Sequence, residues 1–96
     1  MSDQETSARE PINVQSLSLI TLEQFCEIAW VKLGLHPDPI TGDLGVDLQQ
    51  AKLAIDLANS MSHVIETNLD SDDDRRRLQS MIRDLKLNYV TKAKES

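Results

Sequence analysis

Apolar residues return every three to four positions in three separate stretches of this chain, the spacing of amphipathic helices. In the first stretch Leu22, Phe25, Cys26, Ala29, Trp30 and Leu33 fall on one face of a helical wheel. Leu17, Ile20, Ile28 and Val31 gather on roughly the opposite side, with Glu23, Gln24, Glu27 and Lys32 in the gaps. Two apolar faces on one helix call for two partners. Thr21 followed by Gln24 has the form of a capping box, and Leu17 to Ile20 carry the pattern ahead of it, so the first helix is predicted at about 18–33. Gly34 stands where a left-handed residue satisfies the last carbonyls, with Leu35 able to fold back on the preceding turn.

The next segment is dense in turn residues. Pro37 and Pro39 push His36 and Asp38 toward extended backbone and cannot continue a helix. Thr41, Gly42, Asp43, Leu44 and Gly45 form a turn, with room for a short extended pairing through Val46. Asp47, with Gln50 three residues on, starts a second helix over about 47–67. Its apolar arc of Ala51, Ala54, Ile55, Leu57, Ala58, Met61, Val64 and Ile65 covers about half the wheel, more than one neighbour needs. This helix is expected to lie between others or at a subunit contact. Asn68 and Leu69 close it, and Asp70 or Ser71 caps a third helix over about 71–91. Asp72, Asp73 and Asp74 favour its N-terminal dipole, Arg75, Arg76 and Arg77 follow at pairing distance, and Leu78, Met81, Ile82, Leu85 and Tyr89 make its core stripe. Leu87 and Val90 lie off that stripe. The pattern is that of an all-α, three-helix domain with a Pro/Gly loop between the first two helices.

Length limits what such a pattern can build. The chain has 96 residues, room for one core. Residues 1–15, rich in Ser, Glu, Asp and Gln and without apolar periodicity, read as a disordered leader; residues 16–92 form a single helical domain, and 93–96 a frayed tail. At this size burial alone gives marginal stability, and association often supplies the rest. A homo-oligomer, by preference a homodimer, is therefore expected. The lone Cys26 cannot form an intrachain disulfide and fits a reducing compartment. Glu23, Glu27 and Lys32 interrupt the most apolar stretch, so no membrane span is predicted. Without a charged leader and apolar run at the N-terminus export is not expected either, and the cytoplasm is the predicted location.

Several pieces, taken in order, carry a resemblance: Leu33 and Gly34; Pro37, Asp38, Pro39, Thr41 and Gly42; Val46, Asp47 and Leu48 followed by Ala51, Ile55, Asp56 and Leu57; Asn68 and Leu69; and Leu85, Leu87, Tyr89 and Val90. Over about residues 19–90 the chain resembles a small bacterial family known as domain of unknown function 1844. It departs from that family at Thr67, where a Gly is usual, at Asp70, where a Thr is usual, and at Ile40, where an acid is common. The resemblance implies a helical fold and transfers no activity, ligand or site residue.

Chemistry-bearing residues are sparse. The two histidines, His36 and His63, have no second ligand a turn away, and the run Asp70, Asp72, Asp73 and Asp74 lacks the spacing and glycine of a calcium loop. No catalytic, cofactor-binding or metal-binding residue is assigned, and no cofactor is expected. Net charge is −6, which disfavours general attraction to nucleic acid. Arg75, Arg76, Arg83 and Lys86 nonetheless share an outer face of the third helix that could meet phosphate, which makes nucleic-acid binding the alternative function. A non-catalytic module that self-associates or binds a protein partner explains more of the chain, with Leu17, Ile20, Ile28 and Val31 as its expected interface.

Overall fold

A computed structural model describes residues 10–95, and in it the chain is three helices: α1 (Val14–Lys32), α2 (Leu48–Glu66) and α3 (Asp72–Glu95). Residues 1–9 of the expected leader, and Ser96, lie outside the described residues.

The first helix starts earlier than the sequence suggests. Asn13 is the cap, its side chain accepting the Ser16 N–H at 3.0 Å from an extended backbone. Thr21 instead sits inside the helix and donates its hydroxyl to the Leu17 carbonyl at 2.9 Å, the back-bonding open to any mid-helix threonine. The far end behaves as expected. Gly34 has φ +80°; its N–H reaches the Val31 carbonyl at 3.0 Å while the Leu35 N–H reaches Trp30 at 3.1 Å, the paired bonds of a Schellman ending.

The loop then folds back on α1. An isolated antiparallel bridge joins Leu33 to Val46, and the Asp47 N–H donates to the Lys32 carbonyl at 2.8 Å. Inside this closure Asp38 organises the turn, its carboxylate accepting the N–H of Ile40 at 2.7 Å and of Thr41 at 3.3 Å. Asp47 caps α2 through Gln50 N–H at 3.1 Å.

The α2–α3 turn needs no left-handed residue. Thr67 stays right-handed at φ −69°, and its hydroxyl and the Asn68 amide both bond the Val64 carbonyl, which accounts for a threonine where a glycine is usual. Ser71 caps α3 through the Asp74 N–H. That helix runs on to Glu95, past the expected fraying near Lys92, because no Gly or Pro interrupts it and Lys92 pairs with Glu95 at 3.6 Å.

Gln15 Nε2 donates to the Asn68 carbonyl at 3.1 Å, so α1 and α2 are tied at both ends as an antiparallel pair. α3 returns along α2, where Gln79 bonds Glu66 at 2.7 Å, and touches α1 only lightly. The core is Leu22, Cys26, Ala29 and Leu33 of α1, Ala51, Ala54, Ile55, Ala58 and Ile65 of α2, and Leu78, Ile82 and Leu85 of α3. Ser62 is buried among them with its hydroxyl satisfied by the Asn59 carbonyl at 2.8 Å. The core is small: of the large side chains, Leu22, Leu33 and Leu85 are sealed completely. The radius of gyration is 16.0 Å, against about 12 Å for a compact domain of this length.

Candidate interaction surface

His36 and Asp38 are tied up within the chain, and Cys26 is buried. His36 Nδ1 lies 2.8 Å from the Glu27 carboxylate, its ring leaning on Trp30 with centroids 5.8 Å apart. Asp38 is held below its usual carboxylate range chiefly by the N–H groups of Ile40 and Thr41. Burial pushes the Cys26 thiol up to about 11, with the negative charge of Glu23 adding to it. Among the described residues no cluster of three or more His, Cys, Asp or Glu is arranged to hold a metal.

The arginines of α3 face their own aspartates. Arg75 bonds Asp72 and also the Leu69 carbonyl, fastening the α2–α3 turn; Arg76 bonds Asp73, and Arg77 lies 3.8 Å from Asp74. Each is an i, i+3 pair of the kind a helix start favours. Arg83 donates to the Ser80 hydroxyl at 3.0 Å and with Lys86 borders a shallow cleft that also includes His63 and Glu66.

Three of the four expected interface residues are exposed: Leu17 at 54%, Ile20 at 52% and Ile28 at 45%. Val31 is not. It is 7% exposed, because the returning loop lies over it and forms a small depression with Val31, Asp38, Thr41, Leu44 and Gly45. That part of the second apolar face finds its cover within the chain.

The rest of the face is wider than α1. Leu53, Leu57 and Val64 of α2 are also exposed, Val64 at 66%. They recur at four and seven residues along one flank, as do Val14, Thr21 and Ile28, seven apart on α1. Two adjoining depressions join the flanks, one lined by Val14, Ser18 and Val64, the other by Ser18, Ser60, Met61 and Val64. Leu17 and Ile28 lie on this flank of α1, whereas Ile20 is turned about 80° from Ile28 around the helix. Charge stays at the edge of the α2 flank: Asp56, one turn from Leu53 and Ser60, pairs with Lys52, and Glu66 turns to α3. On α1, Lys32 in the last turn falls at the same helical angle as Val14.

Sequence reasoning placed Leu57 and Val64 in the broad arc of α2 but passed over Leu53, which follows Lys52 and sits outside that arc. The signal that could have found it is the heptad relation of Leu53 to Ser60 and its four-residue step to Leu57.

No helix among the described residues is long and apolar enough to cross a membrane. No curated protein and no solved structure gives a significant match to the chain. A family profile does, over residues 16–91, the stretch that holds α2, the Pro/Gly loop, α1 from its third residue and all but the last residues of α3. With that length matched, the chain belongs to the DUF1844 family, a domain of unknown function.

Proposed function

We propose that this chain is a non-catalytic interaction module, working in the cytoplasm, that presents the exposed apolar face of the α1–α2 pair to a protein surface. The observation that carries the reading is the combination of size and neutrality. Leu17, Ile28, Leu53, Leu57 and Val64 lie exposed on adjoining helix flanks in a chain of net charge −6. Contiguous apolar surface of this extent marks interaction sites in soluble proteins. The alternative, phosphate binding along α3, loses two of its cations, Arg75 and Arg76, to aspartates of the first turn, and what remains is Arg83 and Lys86 on an acidic protein.

The test is site-specific photo-crosslinking in the native cell. A photoreactive residue at Leu53 is expected to give a discrete adduct that disappears when Leu57→Asp is added. Irradiation at Leu53 with no adduct above the level seen at exposed Lys86 would reject the reading.

A further inference from the structure

We propose that the occupant of the α1–α2 face is a second copy of this chain, packed across a twofold axis so that four helices, two from each copy, enclose the apolar surface. This rests on the interaction-module reading and names its partner. Three observations favour a second copy over another protein.

The first is charge. A chain carrying −6 meets its own copy most readily through a face low in charge, since an isologous joint brings the same patch from both copies and groups near the axis meet their own kind. The polar positions on the α2 flank are filled by Gln50 and Ser60, and the charges at its edge, Lys52 and Asp56, offset each other as an ion pair. The second is area. Two helices of 19 residues each, about 10 Å in diameter, present a face about 20 Å by 28 Å, near 560 Å². Joining two such faces covers about 1,100 Å², above the roughly 1,000 Å² expected of a specific interface.

The third is the monomer itself. Leu53, Leu57 and Val64 are exposed, while among the described residues the large side chains fully sealed are Leu22, Leu33 and Leu85, and the fold is more extended than a compact domain of its length. Packing a second α1–α2 pair on this face turns a thin layer into a four-helix arrangement with a real interior. The steps of three and four residues along both flanks suit the shallow crossing of such bundles.

Sedimentation equilibrium of the purified chain, from about 1 to 100 μM, is the test. The expected mass is twice 10.8 kDa at the upper end. Leu57→Asp, which sets unpaired carboxylates in the joint, weakens association by at least about 100-fold, and Ser60→Arg, a change of one exposed polar residue for another, lowers it as well. Ile40→Asp and Leu87→Asp, exposed but off the face, leave the mass at the dimer value. Helical circular dichroism confirms that each variant is folded.

A wild-type chain that remains a folded monomer throughout overturns the proposal. So does a dimer that survives both Leu57→Asp and Ser60→Arg. If the chain is monomeric yet the Leu53 cross-link in cells gives an adduct with a different protein, self-association falls while the interaction-module reading stands.

Discussion

Alanine at Gly34 tests how α1 is stopped and turned back on itself. The residue has φ +80°, and a Cβ added there would lie 2.7 Å from the Val46 Cγ2 and 3.3 Å from the Gly45 carbonyl oxygen. The left-handed backbone costs an alanine about 1–2 kcal/mol. The clash adds to that. Val46 is half exposed and can turn away at an off-rotamer cost of about 1 kcal/mol, but the Gly45 carbonyl is backbone beside a bridge closed by Leu33 and by the Asp47 N–H bond to Lys32. The expected loss is about 2–3 kcal/mol. Two other glycines separate the contributions: Gly42 has φ +77° with nothing within 4 Å, and Gly45 has neither a positive φ nor a neighbour. Gly42→Ala is expected to lose about 1–2 kcal/mol and Gly45→Ala to stay within about 0.5 kcal/mol of wild type. Urea unfolding followed by circular dichroism, at one fixed protein concentration because association shifts the midpoint, gives all three values. A Gly34→Ala loss no larger than that of Gly42→Ala would refute the close approach of the loop to the end of α1.

The start of α1 makes a paired prediction: Asn13→Ala removes a cap and costs about 1 kcal/mol, while Thr21→Ala costs nothing measurable in the same unfolding assay. Cys26, with its thiol at about 11 against an ordinary 9.0, is expected to react with a disulfide reagent at pH 8 at least about 100-fold more slowly than the unfolded chain. Because its folded value is raised, the neutral thiol's contribution is complete below pH 9.0 and is lost as pH rises toward 11, about 2–3 kcal/mol in all; alkaline unfolding midpoints of wild type and Cys26→Ala read the difference. Asp38 has the opposite sign: its folded value is lowered, so its hold on the loop is present above 3.8 and fails as pH falls through the folded value. The amide resonances of Ile40 and Thr41 should then titrate together below the ordinary carboxylate range, and Asp38→Asn should abolish that titration.

What the sequence made legible was local. Asp47 with Gln50, Gly34 after a periodic run, and the Asp72 to Asp74 turn each specify a helix end through groups within a few residues, and the structure uses all three. The errors came where two local solutions compete or where the deciding contact is distant. Asn13 and Thr21 both carry capping side chains, and the contact that favours the longer helix, Gln15 to Asn68, spans 53 positions. Val31 belongs by its spacing to an exposed face, but the returning loop, Asp38 to Gly45, covers it. Leu53, beside Lys52, gives no sign alone; its place becomes plain only when α1 lies alongside and Val14 and Ser18 meet Val64.

The claim that the α1–α2 face is covered in solution is most directly tested by methyl relaxation in the presence of a soluble paramagnetic agent. At about 100 μM protein the account predicts that the methyl groups of Ile28, Leu53, Leu57 and Val64 are shielded, although each is exposed in the single chain, while those of Ile40 and Leu87 relax fully. Equal relaxation at Leu53, Leu57, Val64 and Leu87 would contradict it.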